Sequence, residues 1–245
     1  MHHFFIPSDL IQNDSALLPA ETSRQILKVL RLKNGEKICL LDNSGMGFEA
    51  ELECDSSGGI VRAHVLRSYP VESEPRCAIT LFLALTQREK FEWILQKSTE
   101  AGVSAIVPVF TERSLVRPEK DFSARVPRWE KIMQEAAEQS GRGIIPRLHA
   151  PLDFSEALRI GANVDCSLFF WEEETERTLR KTLEPLKPGM HSAALFIGPE
   201  GGFSATEAEQ AALHGWQAVT LGKRIYRMET AALAAVILTL YELER

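Results

Sequence analysis

The sequence has little of what marks the most easily recognised chemistries. Its four cysteines, Cys39, Cys54, Cys77 and Cys166, are far apart, and none is spaced as C-x-x-C. This excludes a cysteine-based zinc site and a dithiol redox centre, and it leaves reduced thiols that behave as small buried hydrophobes. The six histidines include no H-E-x-x-H or comparable spacing, so no metal is expected. Neither a dinucleotide fingerprint nor a P-loop is present, nothing resembles a serine or cysteine triad, and no pair of catalytic carboxylates is evident. No apolar run approaches a membrane span, and Met1-His2-His3-Phe4-Phe5 lacks the basic and apolar regions of a signal peptide. A cytoplasmic location with no membrane partner is therefore expected.

Excess positive charge is also missing. The formal net charge is −6, which argues against a surface wholly given to a polyanion. The distribution is uneven: residues 76–150 hold 12 basic and 9 acidic residues, whereas residues 151–245 hold 9 basic and 14 acidic ones. Any nucleic-acid surface is expected to be local.

What is present is ordinary globular composition, 44% hydrophobic and 25% charged over 245 residues, enough for one large or two modest domains. Residues 1–70 read as a small β-rich domain. A strand opens at Phe4-Phe5-Ile6, a helix covers 21–31 with Ile26, Leu27 and Leu30 on one face, and strands cover 36–42, 47–54 and 60–68. Turn compositions at Asn43-Ser44-Gly45 and Asp55-Ser56-Ser57-Gly58-Gly59 separate those strands, which predicts a compact barrel with one helix. The stretch 69–76, with two prolines and no periodicity, then reads as a linker, placed at 71–76.

From Cys77 the pattern changes. The continuous apolar run 78–85 predicts a strand buried on both faces. Thr86-Gln87-Arg88-Glu89 reads as a capping box, Phe91, Ile94, Leu95 and Ala101 form a helical stripe ended by Gly102, and 103–110 is the next strand. Such a βαβ unit implies a parallel sheet. Further helices are expected over 127–140, 153–158 (with Asp153 and Glu156 as its box), 175–183 and 229–243. Strands are expected over 164–171, 193–197 and 218–221, with a turn at Lys187-Pro188-Gly189. Residues 77–245 thus form an α/β domain with a mostly parallel sheet.

Chemistry concentrates in residues 195–233. Two glycine-bearing turns, Ile197-Gly198-Pro199-Glu200-Gly201-Gly202 and Leu221-Gly222-Lys223-Arg224, each follow a short apolar run and precede a helical pattern. Both fall at carboxyl ends of strands, where open α/β sheets bind ligands on glycine backbone and helix N-termini. Ser204-Ala205-Thr206-Glu207 is a capping box that starts the next helix at the mouth of the first turn. Arg224, Arg227 and Glu229 stand just ahead of a very apolar helix, a place for charge that serves a ligand or partner.

Two sets of cations lie elsewhere. Arg113, Arg117 and Arg142 are at element ends and fit convergence on phosphates, but interleaved Glu112, Glu119 and Glu138 fit a solvated, salt-bridged surface equally well. Arg24, Lys28 and Arg31 share one helical side, which suits phosphate contact or simply a wet face.

Several motifs in order resemble the RsmE family of bacterial 16S rRNA uridine-N3 methyltransferases, within the SPOUT superfamily. They are the L-x-V-L-R-L segment at 27–32, Gln96-Lys97-Ser98-Thr99-Glu100-Ala101-Gly102-Val103, Thr111-Glu112-Arg113-Ser114, Glu135-Ala136-Ala137-Glu138-Gln139-Ser140-Gly141-Arg142, and the stretches 197–203 and 221–232. The resemblance runs nearly the whole chain. It implies a PUA-like RNA-binding barrel at 1–70 and a methyltransferase domain at 77–245, with a deep trefoil knot in roughly 165–245 against the rule that chains are unknotted. It further implies S-adenosylmethionine as cofactor, held by Phe170, Ile197, Gly198, Pro199, Glu200, Gly201, Gly202, Leu221, Gly222, Ile225, Tyr226, Met228 and Thr230.

For such a reaction Arg227 is the candidate that stabilises charge on the uracil oxygens and orients the base, while the N3 proton goes to solvent or to Glu229, which equally suits bracing Arg227 or capping the last helix. Arg31, Arg113 and Arg142 are the candidates for holding 16S rRNA of the small ribosomal subunit, and the resemblance implies a homodimer. Two positions depart from the family pattern: His3 stands where arginine is common, and Met228 interrupts the usual R-T-E-T, so that position is expected to act through its backbone. A ribose 2'-O-methyltransferase of the same fold and a non-catalytic RNA-binding assembly factor are the alternatives.

Overall fold

The computed structural model describes residues 1–54, 59–116, 122–186 and 189–244. Arg117, Glu119 and the turn residues at 55–58 and 187–188 lie outside the described residues. The chain divides into two compact units, one of Met1–Glu74 with Gln134–Ile145, the other of Pro75–Met133 with Pro146–Arg245. The division falls inside a helix, so a segment that sequence order assigns to the second domain belongs to the first unit.

In the first unit, strands β1 (His2–Phe5), β2 (Ile11–Gln12), β3 (Ser15–Leu17), β4 (Lys37–Leu41), β5 (Met46–Cys54) and β6 (Val61–Pro70) form one sheet in the order β1-β4-β5-β6-β3-β2. Only β1 and β4 are parallel; the other pairs are antiparallel. Alternate residues such as Ile38, Leu40, Ala50, Leu52, Val61 and Ala63 enter the core, as the two-residue period of a half-buried strand requires. The short strands β2 and β3 carry no periodicity long enough to read. Helix α1 (Ala20–Arg24) passes into a π-helical stretch, Gln25–Leu30, that closes on Arg31 at φ 54°. The Leu32 N–H reaches back to the Ile26 carbonyl at 3.0 Å, so the backbone of Arg31 acts as a helix stop while its side chain stays exposed. His3 is half-buried on β1, and burial lowers its pKa below the ordinary value.

Arg142 is not a free cation. It is 3% exposed, and its Nη2 and Nε donate to the Glu74 carboxylate at 2.7 and 3.3 Å. The same carboxylate receives the N–H groups of Gly143 (2.9 Å) and Ile144 (3.1 Å). A buried guanidinium must be paired, and this one closes a turn of the first unit. The expectation that Arg142 holds RNA is corrected accordingly.

The second unit is built on a seven-stranded sheet in which every pair is parallel. Its strands are β7 (Ala78–Ala84), β8 (Ala105–Phe110), β9 (Arg147–Leu148), β10 (Leu152–Asp153), β11 (Cys166–Phe170), β12 (Ser192–Ile197) and β13 (Gln217–Val219). The order is β10-β8-β7-β12-β11-β13, with β9 also on β8. The helices are α2 (Arg88–Glu100), α3 (Val126–Ser140, shared between the units), α4 (Phe154–Gly161), α5 (Leu179–Leu183), α6 (Ala205–Leu213) and α7 (Met228–Leu243). The central strands are mostly apolar and buried, as expected of a parallel sheet covered on both faces. Phe82, Phe169, Phe196, Phe203 and Trp216 form the middle of the core.

Three local expectations needed correction. Neither expected capping box forms: the N-cap of α2 is Gln87 rather than Thr86, and Asp153 sits at the N-cap of α4 without a side-chain cap bond, while Glu156 pairs with Arg159 at 2.7 Å. Helix α5 begins at Leu179 rather than 175, because Thr178 bridges Thr220 in a parallel pairing that keeps the preceding residues out of the helix.

A surface network ties α2 to the start of α3. The Glu92 carboxylate accepts from Arg128 at 2.7 and 2.8 Å and from Arg88 at 2.8 Å. Arg128 chiefly, with Arg88, holds its pKa at about 2 against the upward push of partial burial. A carboxyl depressed from its ordinary 4.5 contributes stability that is complete above that value and vanishes as pH falls toward 2. Both arginines are more than half exposed, so the loss should be about 1 kcal/mol. Urea denaturation at pH 5 and at pH 2.5 should show a smaller pH effect in Arg128→Ala than in the parent. An equal effect in both would remove this network from the acid response.

Candidate active site

A cavity of about 970 Å³ opens where β11, β12 and β13 end. Parallel strands place their carboxyl ends together, so the two glycine turns foreseen from sequence lie on one pocket. Its lining comprises Phe170 and Trp171 after β11, Ile197, Gly198, Pro199, Glu200, Gly201 and Gly202 after β12, and Val219 through Tyr226 after β13. Arg227, Met228, Glu229 and Ala231 at the start of α7 complete it, with Lys90 from α2 and Glu172, Glu174, Thr175 and Thr178 from the β11–α5 connection. Of the expected cofactor residues, only Thr230 is outside the lining; it is exposed, and the 100° helical step from Glu229 carries it off that face.

The first turn is held from several sides. Gly202, at φ +68°, donates its N–H to the Pro199 carbonyl at 2.9 Å. Ser204 caps α6 in a true capping box: its Oγ accepts the Glu207 N–H, while its own N–H donates to Glu207 Oε2 at 2.9 Å. Glu200 accepts the Thr86 hydroxyl at 2.6 Å and the Lys90 ammonium at 2.8 Å. Burial pushes the Glu200 pKa up, but these two donors outweigh it and the net shift is downward, while Glu200 raises that of Lys90. Arg113 lies against this turn, its Nη1 donating to the Gly201 carbonyl at 2.9 Å.

Arg227 is the N-cap residue of α7 and makes no side-chain cap bond. Its side chain is exposed on the lining, and no ion pair joins it to Glu229. Glu229, in the first turn of α7, has Oε2 buried with no hydrogen-bond partner among the described residues. Met228 is 4% exposed, so its side chain packs inside while its backbone opens the helix. Arg31 belongs to the first unit and is not part of this pocket.

Sequence reasoning missed Lys90, Thr86 and Trp171. The signal for the first two was available: both follow the carboxyl end of β7, beside β12 in the sheet. No helix among the described residues is long and apolar enough to cross a membrane.

A parallel α/β sheet with two glycine turns, an arginine and a glutamate on one pocket matches a known class. The profile of the RNA methyltransferase domain matches residues 72–240, and the chain is an RNA methyltransferase. Within that class it is 30% identical to ribosomal RNA small subunit methyltransferase E of Bacillus subtilis, covering 100% of this chain and 98% of the relative. It is also 30% identical to that of Mesomycoplasma hyopneumoniae, covering 95% and 96%. The crystal structure of the Neisseria gonorrhoeae enzyme bound to S-adenosyl methionine superposes with a TM-score of 0.88 at 33% identity, covering 98% of this chain and 97% of that one. The chain belongs to the ribosomal RNA small subunit methyltransferase E family.

Proposed function

We propose that this protein transfers a methyl group from S-adenosylmethionine to N3 of a uridine in 16S rRNA of the small ribosomal subunit, in the cytoplasm. The observation that carries the reading is the pocket itself, where backbone turns for a cofactor meet Arg227 and Glu229. The residues present fit the cofactor. The cavity is of the size small-molecule sites have, glycine at 198, 201, 202 and 222 lets backbone approach a ligand, and the unpartnered Glu229 oxygen suits a neighbouring cation.

Bound there, S-adenosylmethionine supplies a methyl group on a sulfonium centre, which departs as a neutral thioether. The neutral imide nitrogen is a poor nucleophile, so the N3 proton must leave as the N–CH₃ bond forms. Glu229, the carboxylate that α7 places on the lining, takes that proton. Negative charge spreads to O2 and O4 of the base, where the Arg227 guanidinium stabilises it and orients the ring. N3 is a pairing atom, so the uridine must be unpaired or extruded before it enters.

The finer architecture follows the same family. The first unit is a PUA-like barrel that grips RNA, with Arg31 exposed for a phosphate. The chain beyond about residue 165 threads a trefoil knot, a reading supported by the insertion of β12 between β7 and β11. Two copies pair through α2 and α7, which leave Trp93, Ile237, Leu238 and Tyr241 at 40% to 55% exposure.

The test is a calorimetric titration with S-adenosylmethionine, followed by methyl transfer to small ribosomal subunits and nucleoside mapping of the product. One site per subunit and 3-methyluridine are expected. A 2'-O-methylated nucleoside would overturn the base assignment, and absence of cofactor binding would overturn the reading.

A further inference from the structure

The segment Thr111-Glu112-Arg113-Ser114 lies at the end of β8, one strand beyond β7, and reaches the pocket from outside its lining. It is a rigid turn. The Thr111 N–H donates to Ser114 Oγ at 3.1 Å, the Ser114 N–H returns to the Thr111 carbonyl at 3.1 Å, and the two buried hydroxyls are 2.7 Å apart. From this base Glu112 engages the start of α6: its N–H donates to Glu207 Oε1 at 2.8 Å, and its Oε2 accepts the Ser204 hydroxyl at 2.7 Å.

Arg113 addresses the glycine turn. Its Nη1 donates to the carbonyls of Gly201, at 2.9 Å, and Phe203, at 3.4 Å, which flank Gly202. The opposite ends of the same two peptide units are also held, the Gly202 N–H by the Pro199 carbonyl and the Ser204 N–H by Glu207. The peptide before the left-handed Gly202 and the peptide after Phe203 are therefore each held at both ends, which brackets the turn. A guanidinium suits this task because it is planar, permanently charged and offers several donors, whereas an ammonium is a point charge.

We propose that Arg113 is a positioning residue that holds the 198–202 turn in its cofactor-receiving shape, and that this, not phosphate binding, is its function. The proposal rests on the reading of that turn as the S-adenosylmethionine site. A preorganised turn lowers the cost of ordering it around a ligand, so loss of the brace should appear in cofactor affinity and not in the chemical step.

Arg113→Ala and Arg113→Lys would be compared with the parent for cofactor Kd, for kcat and KM of both substrates, for thermal midpoint, and for the salt dependence of RNA binding. For Arg113→Ala the cofactor Kd and KM should rise about tenfold, with kcat at saturating cofactor within about twofold. Arg113→Lys should recover about half of the loss on a logarithmic scale, since an ammonium can reach one carbonyl. The salt slope should stay unchanged, whereas loss of a phosphate contact would flatten it by roughly one charge.

A parental cofactor Kd with a flattened slope would overturn the proposal in favour of an RNA contact. An equal loss in both variants that follows a large fall in thermal midpoint would overturn it in favour of a general structural role. Failure of the parent to bind S-adenosylmethionine would instead defeat the reading of the turn, and the proposal with it.

Discussion

Arg227→Ala should lower kcat about 100- to 1,000-fold while leaving the cofactor Kd within about threefold. The magnitude is that of removing one fixed donor from a site where charge develops in the transition state. Arg227 suits the role because it caps α7 through its backbone, without a side-chain cap bond, and no ion pair joins it to Glu229 among the described residues. Cofactor binding should survive, since the glycine turns keep their own supports. Single-turnover kinetics with saturating RNA and cofactor measure the step directly. Full turnover in the variant would remove Arg227 from the chemistry, and a loss confined to RNA KM would make it a binding residue only.

Gly198→Val should weaken S-adenosylmethionine binding at least 100-fold and lower stability by about 1–3 kcal/mol, the usual range for overpacking. A Cβ at this position would stand 2.9 Å from the Phe203 ring, closer than real contacts allow. That ring has nowhere to go, being 1% exposed and stacked 4.0 Å from Phe169, with Phe196 and Phe154 beyond. The turn must yield instead, and with it the lining of the proposed cofactor site. Calorimetry and thermal melting separate the two effects; retained binding in a merely destabilised protein would show that the turn does not hold the ligand. Gly222 offers a contrast, because a Cβ there meets nothing within 4 Å but would have to accept φ +114°.

What the sequence reveals divides by the distance of the interacting partners. The glycine turns were legible because they are local: a short apolar run, a break and a helix start fix where backbone is exposed. The pattern that correctly marks Ser204 and Glu207 also occurs at Thr86 and Glu89, where it fails. The Thr86 hydroxyl is taken by Glu200, 114 residues away. Arg142 misleads in the same way: it looks like a surface cation at an element end, but it is buried on Glu74, 68 positions distant, and the carbonyl that the exposed Arg113 meets, that of Gly201, is 88 positions away. The βαβ alternation foretells a parallel sheet, but strand composition carries no address, so the seat of β12 between β7 and β11 was not readable from its residues.

That seat bears on how the protein is made. Ala78 pairs with Ser192, so the sheet's middle stays open until most of the polypeptide exists. Closing so large a loop costs entropy before any contact repays it, which places this topology among slow folders. A nascent chain leaving the ribosome has β7, β8 and β11 before it has the strand that joins them. The cavity is therefore completed late, only after β12, β13 and the start of α7 have all emerged.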